Sequence, residues 1–221
     1  MRIELQKRIF SSIILIPLTF FFVIKGSFFF TFFISICFLI TSYEWHIMSK
    51  KKNYNIYGFI FLVISFYAAY LLRKLSSCCE LTDLGLKYFL LIVLICIFTD
   101  IGGYVFGKLF KGPKLTKISP NKTYSGVIGS FFVPIFLINI FINHLFFNIK
   151  FTNELLVFVI LVSLISQIGD ILISYFKRLS NVKDTGKLIP GHGGLLDRVD
   201  GMIFAFPFTF LLLKINLFQL F

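Results

Sequence analysis

Residues 154–176 read ELLVFVILVSLISQIGDILISYF, and this stretch decides what kind of protein the chain can form. A helix needs about 20 mainly apolar residues to cross the hydrocarbon of a bilayer, and this run is long enough. A barrel strand would alternate apolar and polar residues and would be about 10 residues long. The run therefore predicts a transmembrane helix, which satisfies its backbone hydrogen bonds internally.

The rest of the chain has the same character. Hydrophobic residues make up 57% of the sequence and charged residues only 14%, well below the figure of about 25% that is typical of soluble domains. We therefore predict an all-α fold, a polytopic integral membrane helix bundle with about seven transmembrane helices. The second span could stop near Thr41, and the fourth could be two segments hinged at Gly102 and Gly103. The predicted spans cover about 9–24, 27–46, 55–72, 87–106, 126–147, 154–176 and 200–219.

The basic residues predict the orientation, because cytoplasmic loops are enriched in Lys and Arg. With a cytoplasmic N-terminus, 16 of the 22 basic residues fall on the inner side. The first span is expected to be retained rather than cleaved, since no small-residue cleavage site follows it. The cysteines show no metal-ligand spacing: Cys37 and Cys96 fall inside spans, and Cys78 and Cys79 fall in an outer loop.

The sixth span carries a polar stripe. At helical spacing, six residues fall on one side, which we expect to point into the bundle. An ionisable residue inside a span is costly unless it is paired or faces water, so Asp170 is interpreted as functional. The alternative is a hydrogen bond that packs two helices together. The stripe consists of Ser163, Ser166, Gln167, Asp170, Ser174 and Lys177.

A glycine-rich loop, IPGHGG at 189–194, follows this span. Glycine allows the positive φ angles that turn successive amides toward an anion, and Lys183, Lys187 and Arg198 flank the loop. These features predict a phosphate-binding loop. His192 could either bond a phosphate oxygen or a base, or be an ordinary surface histidine.

Two acidic residues, Asp197 and Asp200, open the last span at a spacing that places them on one helix face. One of them could simply be a helix N-cap. Carboxylates beside a basic loop also suit Mg²⁺, which proteins bind with one or two carboxylates together with substrate phosphates. Asp170, near the same membrane edge, could complete this predicted metal group.

A third charged segment joins the fourth and fifth spans. Asp100 could be functional, or could pair with Lys108 or a partner helix; Gly103 and Gly107 have the spacing of helix-packing glycines. The lysines of the following loop could be positive-inside charges alone. Around the predicted turn at Pro120 and Asn121, the residues placed for a site are Ser119, Lys122 and Thr123.

These segments resemble the phosphatidate cytidylyltransferases, also called CDP-diacylglycerol synthases. That family's signature reads S-x-x-K-R, four residues, K-D, then H-G-G-x-x-D-R-x-D. DIGGYVFGK at 100–108 and SPNKT at 119–123 are similar to the family's second region, with Gly103 where Ala is usual and Ser125 where Glu is usual. The matching residues of the signature are Ser174, Lys177, Arg178, Lys183, Asp184, Gly186, Pro190, His192, Gly193, Gly194, Asp197, Arg198 and Asp200.

The resemblance implies that CTP and phosphatidate give CDP-diacylglycerol and pyrophosphate, with Mg²⁺ and a monovalent cation such as K⁺. It also implies a homodimer in the inner cell membrane, with an active site that faces the cytoplasm and with no nucleic-acid partner. Residues 1–221 would form one membrane domain, in which 1–95 are N-terminal transmembrane helices and 96–221 hold the catalytic helices and cytoplasmic loops. The role of the family's Glu cannot be carried over to Ser125.

The implied roles divide the candidate residues into three groups. Asp170, Asp197 and Asp200 are expected to bind metal. Ser119, Lys122, Thr123, Ser174, Gly193 and Gly194 are expected to bind substrate. The catalytic group consists of Lys177, Arg178, Lys183, Asp184, His192 and Arg198.

Two other classes of protein share some of these features. A cation-coupled transporter would also use intramembrane Asp100 and Asp170, but transporters usually bind near the bilayer midplane and often contain inverted repeats. A related lipid or isoprenoid-alcohol kinase would share both the membrane and the aspartates. A CDP-alcohol phosphotransferase would need a D-G-x-x-A-R pattern, which the sequence lacks.

Overall fold

In a computed structural model, the described residues form eight helices. The structure describes residues 2–50, 52–75, 84–115, 119, 122–145, 151–186, 188, 193–218 and 220. Within these residues there is no strand, and an isolated antiparallel bridge joins Lys114 and Thr123. The all-α prediction is therefore confirmed. The helices are α1 (Arg2–Lys25), α2 (Ser27–Ser49), α3 (Asn55–Arg73), α4 (Leu84–Phe110), α5 (Tyr124–Leu145), α6 (Asn153–Leu179), α7 (Leu196–Val199) and α8 (Met202–Lys214).

Five of these helices, α2 to α6, are long and apolar enough to cross a membrane. The apolar part of α1 and the whole of α8 are shorter, with 13 residues in α8. Large apolar side chains cover the outer surface, as expected for helices that face lipid. The polytopic bundle is confirmed, whereas seven spans remains a prediction.

Two alternatives left open by the sequence, and the end of the last predicted span, differ from the helices that the structure shows. The second span does not stop near Thr41, since α2 continues to Ser49. The fourth is one continuous helix through Gly102 and Gly103, because the chain in a membrane keeps its backbone hydrogen bonds unless a neighbour replaces them. The last predicted span reached residue 219, but α8 ends at Lys214.

Glycines bring α4 and α5 into close contact. A Cβ at Gly102 would lie 2.3 Å from the carbonyl oxygen of Gly129, and a Cβ at Gly126 would lie 2.8 Å from the carbonyl oxygen of Gly103. A Cβ at Gly107 would lie 3.1 Å from Oγ1 of Thr123. Small residues let two membrane helices approach this closely. The helix-packing interpretation of Gly103 and Gly107 is thus confirmed.

The polar stripe of α6 points inward, as predicted. Ser163 is fully buried, and its hydroxyl accepts a 3.0 Å hydrogen bond from the hydroxyl of Thr99 on α4. Ser166 is also buried, whereas Leu164 and Ile168 on the opposite side are exposed. The helix therefore turns its polar face toward α4 and its apolar face outward.

Arg73 closes the end of the bundle where α1 and α3 finish. Its guanidinium is buried, and Nε donates a 3.0 Å hydrogen bond to the carbonyl oxygen of Val23. A cation at this place satisfies carbonyl groups that a helix C-terminus leaves unpaired. This packing role of Arg73 is visible only in the structure.

Candidate functional site

The candidate site lies at the end of the bundle where α2, α4 and α6 finish. The loop after α2 meets the loop after α6 there, since the hydroxyls of Tyr54 and Ser180 are 2.8 Å apart. The aromatic rings of Trp45 and Tyr54 also pack against Phe176, with ring centroids 5.3 and 5.0 Å away. This packing fixes the end of α6, from which the charged residues of the signature follow.

Asp197 is the centre of the first charged group. Its Oδ1 accepts a 2.9 Å hydrogen bond from Nζ of Lys177, and its Oδ2 accepts bonds from the amides of Thr185 and Gly194 at 2.8 and 3.1 Å. Partial burial by itself would raise the pKa of Asp197, but these three donors outweigh it and lower the pKa below its usual value of 3.8. Asp197 is therefore ionised at neutral pH.

The glycine-rich loop folds closely around this carboxylate. Gly193 has a positive φ of 87°, and a Cβ there would lie 3.0 Å from Oδ2 of Asp197. Glycine is needed at this position on both counts. The amide of Gly194 donates a hydrogen bond to Asp197, and the prediction that the loop amides bind phosphate stays a prediction. The other residues of the predicted cradle, 189–192, lie outside the described part of the chain.

A second charged group contains three carboxylates from different elements. Asp170 of α6 lies close to Asp200, which follows α7, and the two carboxylates interact electrostatically. Asp100 of α4 interacts electrostatically with both of them. Carboxylates this close repel each other unless a proton or a cation lies between them. From sequence, Asp100 is a weaker functional candidate than Asp170, and the structure brings the two together.

Lys122 forms an ion pair with a carboxylate of this group. Its Nζ lies 2.5 Å from Oδ2 of Asp170, and both side chains are about a quarter exposed. The loop that carries Lys122 is held by hydrogen bonds from the amide of Leu115 to the carbonyl of Lys122 and from the amide of Lys122 to the carbonyl of Ser119. The predicted turn is thus present at its two described ends, although Pro120 and Asn121 lie outside the described residues.

Thr123 and Ser125 have local contacts at the start of α5. The hydroxyl of Thr123 accepts a 3.2 Å hydrogen bond from the amide of Gly126 and is 3.0 Å from the hydroxyl of Ser125. Ser125 also donates to the carbonyl of Lys111. Thr123 therefore acts as a helix cap here, and its predicted substrate contact remains a prediction.

The remaining candidate residues surround these two groups. Ser174 is half-buried one turn before Lys177 on α6, and Arg178 is exposed beside it. Lys183 and Asp184 are exposed on the loop after α6. Arg198 is exposed on α7 and interacts electrostatically with Asp100. His192 lies outside the described residues, and its role stays a prediction.

The predicted metal residues are divided between the two groups. Asp170 and Asp200 lie together, whereas Asp197 binds Lys177 and two loop amides. Among the described residues, no three His, Cys, Asp or Glu side chains are arranged to hold a metal ion by themselves. Asp170 and Asp200 still offer the oxygen ligands that Mg²⁺ prefers, and proteins often bind Mg²⁺ with one or two carboxylates plus substrate phosphates.

Glu44 of α2 is the residue that the sequence interpretation missed. It is only 4% exposed, and its carboxylate accepts hydrogen bonds from the amides of Leu195 and Leu196 at 2.9 and 2.8 Å. The hydroxyl of Thr185 also donates to it, at 3.2 Å. Its signal in the sequence was an acidic residue near the end of an apolar span, the same signal that singled out Asp170.

Comparison with known proteins identifies relatives along most of the chain. The model of the "Cytidylyltransferase family" matches residues 6–83 and 57–216. A phosphatidate cytidylyltransferase of Staphylococcus epidermidis is 37% identical over 181 residues, which cover 81% of this chain and 67% of the relative. Those of Staphylococcus saprophyticus and Staphylococcus aureus are 35% and 36% identical with the same shares covered. The family match begins at residue 6, well before residue 100, where the first of the resembling segments starts.

Proposed function

The chain belongs to the cytidylyltransferase family, and from this premise we propose that it transfers a cytidylyl group from CTP to phosphatidate in the cell membrane. The products are CDP-diacylglycerol and pyrophosphate. The observation that carries the proposal is the convergence of charged side chains from three separate segments at one end of an apolar bundle. The ion pairs Lys122 with Asp170 and Lys177 with Asp197 mark that convergence.

The reaction needs positioning and charge neutralisation more than proton transfer. An oxygen of the phosphatidate phosphate attacks the α-phosphorus of CTP, and the bond from that phosphorus to the bridging oxygen of the β-phosphate breaks. The attacking oxygen is already anionic, so little general-base work is required. Both reactants are highly charged, and stabilising the charge on the departing pyrophosphate is the main demand on the site, by analogy with other phosphoryl transfers.

The basic residues of the site suit this demand. We assign Lys122, Lys177, Arg178, Lys183 and Arg198 to binding phosphate oxygens, because charge-assisted hydrogen bonds to phosphate are strong and directional. Lys122 and Lys177 are already held by carboxylates. Their side chains are therefore positioned before substrate arrives, which lowers the entropic cost of ordering them.

Asp170 and Asp200 would hold Mg²⁺, with Asp197 assigned to the same centre through the resemblance. The mutual approach of Asp170, Asp200 and Asp100 fits a bound cation, since it would relieve the repulsion among these carboxylates. When bound, Mg²⁺ supplies neutralisation of the phosphate charge. Involvement of K⁺ and assembly as a homodimer are proposed from the family resemblance alone.

An apolar cavity beside the charged site suits the lipid substrate. It has a volume of about 440 Å³, and Arg198 is the one charged residue among its described lining. Side chains from α1 to α4 and from α8 form most of the remaining lining, including Leu15, Phe33, Phe66, Phe89 and Phe206. We propose that an acyl chain of phosphatidate lies in this cavity, with its phosphate at the charged end.

The proposed orientation places the site on the cytoplasmic side. With the N-terminus inside, α2, α4 and α6 all end at the inner face. The site lies at these three ends, and the last turns of α4 and α6, the loops that follow the three helices and α7 together carry 13 of the 22 basic residues. CTP is cytosolic, so this orientation gives both substrates access to one site.

The direct test is a nucleotide-preference assay on purified protein in detergent. CTP with phosphatidate and Mg²⁺ should give CDP-diacylglycerol and pyrophosphate, detected by mass spectrometry. ATP with an isoprenoid alcohol should give no phosphorylated product. Absence of any CTP-dependent lipid product from folded protein would reject the proposal, and product from ATP with the alcohol would favour a lipid kinase.

A further inference from the structure

Glu44 is a buried carboxylate with unusually distant partners along the chain. It lies near the C-terminal end of α2, yet its three hydrogen-bond donors are residues 185, 195 and 196. Oε1 accepts from the amide of Leu195, and Oε2 accepts from the amide of Leu196 and the hydroxyl of Thr185. A carboxylate buried at a membrane edge is costly unless it is hydrogen-bonded, and these donors satisfy both of its oxygens.

Two glycines let the loop close around this side chain. A Cβ at Gly186 would lie 2.7 Å from Oε1 of Glu44, and a Cβ at Gly194 would lie 2.6 Å from Oε2. Both distances are shorter than normal contacts of a Cβ. The loop therefore fits Glu44 closely, and the fit depends on glycine at both positions.

The residues that bind Glu44 also bind Asp197. The hydroxyl of Thr185 donates a hydrogen bond to Glu44, and its amide donates one to Asp197. The amide of Gly194 donates a hydrogen bond to Asp197, and the Cα of Gly194 packs against Glu44. Leu196, whose amide binds Glu44, is the chain neighbour of Asp197. Glu44 of α2 therefore holds the residues that position Asp197, and Asp197 in turn holds Lys177.

We infer that Glu44 is a positioning residue for the reaction: it holds residues 184–186 and 193–197 so that Asp197 and Lys177 keep their places in the site. The inference rests on the proposed function. Glu44 itself is buried behind the loop and acts through Thr185, Leu195 and Leu196. The N-terminal helices thus contribute to the chemistry as well as to the membrane anchor.

The principal test compares Glu44→Gln with Thr41→Ala, a control one helical turn away. Thr41 is also buried on α2, and its hydroxyl bonds the carbonyls of Cys37 and Phe38 in the same helix. Glutamine has one carbonyl oxygen and one NH₂ group. One of the two backbone amides that donate to Glu44 would therefore face the NH₂ group and lose its acceptor. We expect kcat per folded molecule to fall about tenfold or more in Glu44→Gln, with KM for CTP changed less, and Thr41→Ala to stay near wild type.

A milder pair of variants keeps the test decisive if Glu44→Gln folds poorly. Thr185→Ser retains a hydroxyl donor for Glu44, whereas Thr185→Val has nearly the same shape without one. We expect Thr185→Ser to rescue turnover and Thr185→Val to lower kcat severalfold at similar thermal stability. Combining Glu44→Gln with Asp197→Asn should give little loss beyond the worse single variant, because both act through one loop.

The opposite results would overturn the inference. If Glu44→Gln or Thr185→Val lowers only the melting temperature, with unchanged kcat per folded molecule, Glu44 serves folding alone. Fully additive losses in the double variant would exclude action through Asp197. Trypsin cleavage within 178–187 gives a readout independent of catalysis, and should be faster in Glu44→Gln than in Thr41→Ala.

The same experiment separates the two proposals. If the wild type forms no CTP-dependent product, the proposed function fails, and equal cleavage rates in the two variants would then also reject Glu44 as the residue that holds the loop. If the wild type is active and Glu44→Gln retains normal kcat, the positioning inference fails alone.

Discussion

Lys177 and Asp197 form an ion pair with 2.9 Å between Nζ and Oδ1, and this pair joins the last turn of α6 to α7. Because Asp197 also accepts two amide hydrogen bonds from the loop between these helices, one carboxylate organises the whole connection. Asp197 therefore supports the conformation of the site in addition to any role with metal.

Asp197→Asn should lower activity and loosen the loop. The amide side chain has one carbonyl oxygen in place of two anionic oxygens, and three donors compete for it. We expect kcat/KM for CTP to fall about a hundredfold or more. Turnover of the purified variant would be compared with Glu154→Gln, which removes an exposed acidic charge at the other end of α6. Near-normal turnover in folded Asp197→Asn would remove Asp197 from the site.

Asp170→Asn should produce a defect that added Mg²⁺ partly restores. This substitution removes one negative charge from the group formed with Asp100 and Asp200, and it weakens the bond to Lys122. We expect at least about a hundredfold loss of activity at low Mg²⁺. A Mg²⁺ titration of wild type and variant checks the result, and an identical Mg²⁺ dependence in the two proteins would contradict metal binding by Asp170.

Lys122→Ala should weaken substrate binding more than it affects folding. Lys122 is partly exposed and pairs with Asp170, so its removal opens no buried cavity. We expect KM for CTP or phosphatidate to rise about tenfold, with a smaller rise for Ser119→Ala. Lys114→Ala, exposed on the same loop, is the matched control. If Lys122→Ala and Ser119→Ala both keep wild-type kinetics at limiting substrate, this loop is not part of the site.

The topology predicts which cysteines a membrane-impermeant thiol reagent can reach. Cys78 and Cys79, which lie outside the described residues, should react from the outer face of intact cells, because the loop between α3 and α4 is expected outside. A cysteine introduced at Asn121 should react only after the cells are permeabilised. Mass spectrometry of the labelled protein would measure both, and the reverse pattern would place the site on the outer face.

The lowered pKa of Asp197 predicts how stability depends on pH. Because the pKa is lower in the folded state, the stabilisation by ionised Asp197 is fully present above the usual value of 3.8, and it is lost as pH falls through the folded value. The difference in melting temperature between wild type and Asp197→Asn should be constant from about pH 5 to 8 and shrink below about pH 4. Thermal unfolding in detergent measures this, and a difference that changes near pH 7 would assign the effect to another group.

The apolar runs by themselves determined that the chain forms membrane helices. In hydrocarbon each backbone amide and carbonyl must find a partner within its own segment, so a long run such as 154–176 has one stable form. The predicted spans therefore agree with helices to within a few residues over most of the chain. The same argument is weaker for the last span, because the polar residues Lys214 and Asn216 interrupt its apolar run, and α8 ends at Lys214. The signature residues also allowed the family to be recognised, because their types and spacings are local features.

The partners of the charged side chains were decided only by the tertiary structure. The sequence predicted one metal group of Asp170, Asp197 and Asp200. In the fold, however, Asp197 accepts hydrogen bonds from Lys177 and from loop amides. The fold also joins Asp170 to Lys122 from a separate loop and brings Glu44 to residues about 150 positions away. Such contacts depend on which helices pack side by side, and α4 and α5 approach closely only because glycines line both helices. Helical periodicity places a side chain on a face, whereas helix packing determines what that face meets.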